Sequence, residues 1–168
     1  MSVNVVVVGN DRAALQGMSV ACEGLGWQVL GHYASPMSAL AGVVTTGPEF
    51  TIVDARVDAM QLLKDIRQMR CRTRCIVVGA ANNRYVRNIL DCGADGYLLE
   101  DAWVSQLTDA IASIRAGGVY VSPGIQASEA PAAEGNDETD AGTAGVREPR
   151  PPQYPPLGGS VAIPLLLG

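Results

Sequence analysis

The 168-residue chain is 48% hydrophobic and 17% charged, with a net charge of −5, which is enough apolar material for one buried core and no basic footprint for DNA or another polyanion. Lys64 is the single lysine and His32 the single histidine, so a Ser-His-Asp or Cys-His mechanism would have to run through His32, which lies in a strand-like segment and reads as structural or solvent-facing. Cys22, Cys71, Cys75 and Cys92 lack the paired short spacings of a zinc site, and no signal peptide or membrane-length apolar stretch is present, so a soluble, cytoplasmic protein with free thiols and no membrane association is expected.

Val3–Val8 is a β-branched run too short for a helix and predicts a fully buried strand. Gly9 and Asn10 break it, and Asp11 is placed to cap a helix reaching about Leu25, with Ala14, Leu15, Met18, Cys22 and Leu25 as its apolar stripe. Gln28–Ala34 predicts a second strand. Ser35-Pro36 opens a second helix to about Thr45, proline being favoured in a first turn. Gly47-Pro48 turns into a third strand, Phe50–Val53, which ends at Asp54. A helix over 59–69 follows, with Met60, Leu63 and Ile66 on one face. Arg74–Val78 is a fourth strand and Asn83–Cys92 a helix closed by Gly93. Gly96–Leu99 is a fifth strand, and Asp101–Ala116 a last helix with Val104, Leu107, Ile111 and Ile114 inward.

Five strands alternating with five helices on short connections imply a parallel sheet covered on both faces. The strands are continuous apolar runs, as double cover requires. The expected fold is therefore α/β, a flavodoxin-like (βα)5 doubly wound three-layer sandwich with a five-stranded parallel sheet. The composition changes at residue 124. The segment 124–168 holds seven of the ten prolines and no apolar periodicity before Val161–Leu167, and it reads as a disordered tail. Within it, Pro151-Pro152-Gln153-Tyr154 has the form of a WW-domain ligand, a form that proline-rich segments also produce by chance.

The order of elements resembles a response-regulator receiver domain of the CheY-like class, closest to the NarL/FixJ type. The residues that carry the resemblance are Thr51-Ile52-Val53-Asp54, the run Gly93-Ala94-Asp95-Gly96-Tyr97-Leu98-Leu99-Glu100-Asp101, and Ala116-Gly117-Gly118-Val119-Tyr120-Val121-Ser122-Pro123. It covers 1–123, which gives a receiver domain followed by the 124–168 tail. The resemblance implies two-component phosphorelay signalling, in which a histidine kinase supplies a phosphoryl group to an aspartate. In such a site Mg²⁺ neutralises charge, and transfer is mostly positioning plus electrostatics.

Carried onto this chain, the resemblance makes Asp54 the phosphoacceptor candidate. Asn10, Asp11, Asp54 and the backbone carbonyl of Arg56 become a weakened Mg²⁺ set. Gly79, Tyr97 and Glu100 fall at the switch and phosphate-contact positions. The departures are large. The acidic pair aligns with Gly9 and Asn10, while Asp11 is one place late and better suited to capping the first helix. Gly79, Val78 and Ala80 all lack the expected hydroxyl. Glu100 stands where a lysine is expected, and no alignment choice restores one. At an effective dielectric of about 20 and a few ångströms, each such reversed contact is on the order of 4 kcal/mol before screening. The loop after Asp54 is about three residues shorter than in the family, and Arg12 or Arg56 is placed to pair with Asp54.

The expected function is an atypical receiver, a protein–protein signalling module with a degenerate phosphorylation site and no enzymatic activity. Its expected surface is formed by the fourth helix, fifth strand and fifth helix, with Tyr85, Arg87, Asn88, Tyr97, Trp103 and Gln106, through which a signalling partner docks or a homodimer forms. One alternative is a functional phosphoacceptor at Asp54 served by a histidine kinase. Another is a NarL/FixJ-type transcription regulator truncated before its DNA-binding domain. The chain lacks the ~50–60 residues of basic, amphipathic helix-turn-helix that nucleic-acid binding would need. A nucleotide- or flavin-binding role is disfavoured because Gly9-Asn10-Asp11-Arg12 is not a glycine-rich phosphate loop.

Overall fold

The structure is a computed structural model that describes residues 2–125. Residues 126–168 of the tail, with the WW-like motif and apolar end, lie outside the described residues. Eleven elements follow in order: β1 (Asn4–Val8), α1 (Arg12–Gly24), β2 (Gln28–Tyr33), α2 (Pro36–Thr46), β3 (Phe50–Asp54), α3 (Ala59–Gln68), β4 (Arg74–Gly79), α4 (Asn83–Asp91), β5 (Gly96–Leu99), α5 (Trp103–Arg115) and β6 (Tyr120–Val121). All pairings are parallel, in the order β2-β1-β3-β4-β5-β6. This is the flavodoxin-like doubly wound arrangement expected.

The valine run of β1 explains the layering. Successive side chains of a strand point to opposite faces. Val6 and Val8 join Val53, Leu62, Leu63, Ile66, Val77, Val86 and Ile89 on the face covered by α2, α3 and α4. Val5 and Val7 join Ile52, Ile76, Leu98, Leu107, Ile111 and Ile114 on the face covered by α1 and α5. Four helices start at polar caps, of which Asp11 and Ser35 were read from the sequence and Asp58 and Asn82 were not. Asp11, Ser35, Asp58 and Asn82 each accept the backbone N–H three residues on, at 2.8, 3.2, 3.2 and 3.0 Å. Gly93, with φ +106°, ends α4 in a conformation that only glycine adopts cheaply. Its carbonyl accepts from the Arg67 guanidinium at 2.6 Å, which also reaches Asp95 at 2.8 Å.

Several expectations need correction. A sixth strand, Tyr120–Val121, extends the sheet beyond β5, held by Tyr120 N–H on Asp95 O and Ser122 N–H on Tyr97 O. The strand β2 ends at Tyr33, one residue early. The last helix begins at Trp103, because Ala102 N–H closes a turn on Leu99 O and Ala102 has no side chain to cap earlier. Val104 is 50% and Leu25 41% exposed, so neither belongs to the core; Ala110 takes the inward place on α5. Packing continues past residue 123, since Ile125 is fully buried against the α2–α3–α4 face. The four cysteines are free. No helix among the described residues is long and apolar enough to cross a membrane.

Candidate functional site

The sheet order reverses direction of growth at β1, and open α/β sheets bind ligands outside the carboxyl ends of strands at that switch point. The end of β3 and the loop after β1 meet there. Asp54 is the last residue of β3, paired in register with Val78 of β4, and is only 4% exposed. Immediately after it the chain turns: Ala55 N–H donates to Val78 O and Val57 N–H to Asp54 O. The turn brings Arg56 back over the carboxylate two residues before it.

Arg56 takes up both oxygens of Asp54. Its backbone N–H donates to Oδ1 at 2.8 Å, Nε lies 3.0 Å from Oδ1 and 3.1 Å from Oδ2, and Nη2 is 2.5 Å from Oδ2. This is the planar fork that a guanidinium offers a carboxylate and a lysine cannot. On its other side Nη1 lies 3.7 Å from Oδ2 of Asp11. The hydrogen bonds and charge of Asp54, with Asp11 and Glu100 beyond, raise the Arg56 pKa further above its ordinary value, so the guanidinium stays charged. The side chain of Arg56 is 60% exposed while that of Asp54 is 6% exposed, so the pair is a buried acid under a solvent-facing lid.

The other expected residues fall as follows. Asp11 caps α1 through Oδ1, as its sequence position implied, and turns Oδ2 towards Arg56. Asn10 is exposed and lines neither of the cavities beside Asp54. Those cavities, each about 200 Å³, flank Arg56. One is lined by residues that include Met18 of α1 and Trp103 of α5. The other is lined by residues that include Gly79, Tyr85 and Tyr97. Glu100 and Asp54 border both. The sequence left Arg12 and Arg56 as alternatives for Asp54; the guanidinium on it belongs to Arg56.

Mg²⁺ needs several oxygen ligands in near-octahedral geometry. Both oxygens of Asp54 are engaged by Arg56 and one of Asp11 by the helix cap. Among the described residues no three His, Cys, Asp or Glu side chains come together as a metal set. With Arg56 in place, the residues present do not fit the ion.

The Gly79 position is equally closed. A Cβ there would stand 2.4 Å from the Tyr97 hydroxyl and 2.5 Å from Ala55 Cβ, distances that real side chains do not tolerate. Tyr97 is 1% exposed, donates to Ala80 O at 2.9 Å and meets the Tyr85 ring edge-on at 6.3 Å. Burial lifts its phenol to about 12. Tyr85 in turn donates to Ala55 O at 3.3 Å. Tyr97 is therefore core and not part of an exposed face, a correction to its expected place. Gln106 is likewise turned inward, accepting at 2.6 Å from buried Ser122, whose oxygen receives Leu99 N–H. Ser122 sits in the run that carried the resemblance, yet its bonds to two other elements were not legible there.

No protein-family model and no curated protein sequence matches the chain. Solved structures do match its fold. A two-component response regulator of the LuxR family from Aurantimonas sp. SI85-9A1 superposes with a TM-score of 0.73 at 20% identity, over 80% of this chain and 99% of that one. The RcsB response regulator of Salmonella typhimurium gives 0.70 at 18% identity, over 80% of this chain and 68% of that one. The signal receiver domain of NarL from Mycobacterium tuberculosis gives 0.64 at 23% identity, over 69% and 98%. The chain has the receiver-domain fold of response regulators. Among its described residues no DNA-binding domain follows α5.

Proposed function

We propose that this protein is an atypical receiver module of two-component signalling that works through protein contacts and without a phosphoryl group on Asp54. The single observation that carries this reading is the Arg56 guanidinium seated on both oxygens of Asp54. An attacking carboxylate oxygen must be free and a developing negative charge must be stabilised. Here the oxygens are engaged, Glu100 adds negative charge where a cation would help, and a hydroxyl at position 79 is excluded by Tyr97 and Ala55.

The module is not an enzyme, needs no Mg²⁺, and binds a signalling protein or a second copy of itself. The face used is that of α4 and α5, where Arg87 and Asn88 of α4 are exposed. Incubation of the full chain with acetyl phosphate and Mg²⁺, followed by intact-mass measurement, tests the reading. The expected result is no phosphoryl adduct. An adduct on the wild type that disappears in Asp54→Asn makes the protein a working phosphoacceptor for a histidine kinase and sinks the proposal.

A further inference from the structure

We infer that Arg56 is a tethered counter-cation that keeps divalent metal ions out of the Asp54 pocket, so that the pocket accepts such an ion only when this side chain is removed. The inference rests on the phosphate-independent reading above and deepens it by naming the residue that decides the pocket's ligand.

The Asp54 carboxylate is too enclosed to be left uncompensated. Some cation must sit beside it. A residue two positions along the same chain has a high effective concentration at the carboxylate, which a free ion at millimolar levels has to displace. The tight turn at 54–57 makes the approach short, and the Arg56 backbone N–H anchors it at 2.8 Å. The guanidinium also faces Asp11, whose second oxygen lies 3.7 Å from Nη1. Arg56 thus contacts the same two acids that a divalent ion in this pocket would need. It does so with a charge that pH cannot remove.

The chemistry of the alternative ligand follows. Mg²⁺ binds through one or two carboxylates and retains waters. Two carboxylates would remain without Arg56. The adjoining cavity of about 210 Å³, bordered by Asp54, Glu100 and Trp103, has room for a partly hydrated ion. Trp103 places a native fluorophore beside that position.

The test uses the full chain in a Trp27→Phe background, leaving Trp103 as the reporter. Arg56→Gln is titrated with Mn²⁺ by quenching of tryptophan emission, and its Tm is followed with and without about 10 mM Mg²⁺. Expected are tenfold or tighter Mn²⁺ binding than in the Arg56 protein and a Mg²⁺-dependent rise in Tm of about 3 °C, both lost when Asp54→Asn is added. The Arg56 protein is expected to show neither. The inference is overturned if the Arg56 protein responds as strongly as Arg56→Gln, or if Arg56→Gln responds no more than the Arg56 protein. Should Arg56→Gln fail to fold, Arg56→Met is judged by the same two criteria, because methionine keeps the length of the side chain without the charge. A phosphoryl adduct on Asp54 is a separate mass measurement, so failure of the functional reading and failure of this one are told apart.

Discussion

Asp54 and Arg56 are two residues apart, and that short separation sets the behaviour of the pocket. Asp54→Ala removes a charged acceptor but leaves Arg56, which is 60% exposed, free to hydrate. Its cost should be small, about 1–2 kcal/mol. Arg56→Ala strands a carboxylate that is 6% exposed, and should cost more, about 2–3 kcal/mol after discounting for the exposed guanidinium. Urea unfolding of the two variants gives the ranking; the opposite order would show that the ion pair does not hold Asp54. Gly79→Thr is a second residue-level case. Its Cβ meets Tyr97 and Ala55, so Tm should fall with an overpacking cost of about 1–3 kcal/mol, and Tyr97→Phe with Ala55→Gly should recover part of it. An unchanged Tm for Gly79→Thr would mean that Tyr97 leaves its inward position readily. The place of Asp54 and the departures at Gly79 and Glu100 were legible, because they depend only on residue type at the ends of clear strands. The choice between Arg12 and Arg56 was not, because the tight turn closed by Val57 N–H on Asp54 O leaves no periodic signal.

At the scale of elements, apolar runs and capping residues located every helix and the five longer strands. What escaped had a physical reason. Two residues are too few for β6 to show a pattern, and a lone Val104 at helical spacing does not reveal that α5 faces it to water. Burial inside these elements has a chemical consequence for the thiols. Burial, aided by Glu23, pushes Cys22 of α1 up to about 12, and burial in β4 pushes Cys75 up to about 12. At about pH 8 a disulfide reagent should label the half-buried Cys71 and Cys92 quickly, and Cys22 and Cys75 only as fast as the domain opens. Rapid labelling of all four would contradict the packing. These acids have raised folded values, so their contribution is complete below about pH 9, the ordinary thiol value, and is lost as pH rises towards 12. Thermal unfolding should show a plateau from about pH 6 to about pH 9 and a decline above it.

Across the whole domain, the amino end of β3 is tied to the carboxyl end of α5. Arg115 donates to the two oxygens of Glu49 at 2.6 and 2.7 Å, and Arg74 stands 3.8 Å away. The Arg115 hydrogen bonds hold the Glu49 carboxyl below its ordinary value of 4.5. A lowered folded value gives stability that is present above about pH 4.5 and is lost as pH falls through the folded value. Arg115→Ala should therefore flatten the acid side of the stability profile, measured as urea midpoints between about pH 6 and pH 3; an unaltered slope would remove the clamp from the account. This tie joins residues 66 positions apart, and nothing local in either segment announces it. The receiver fold itself was legible as a whole because the five longer strands and the five helices each carried their own signal.

The most direct measurement of the central claim, that Arg56 closes Asp54 to phosphoryl chemistry, is the amide spectrum of the full chain with and without Mg²⁺ and beryllofluoride. The resonances of Ala55, Arg56, Gly79, Tyr97 and Glu100 should stay in place. Saturable shifts that begin at Asp54 and spread through Gly79 and Glu100 into α4 would contradict it.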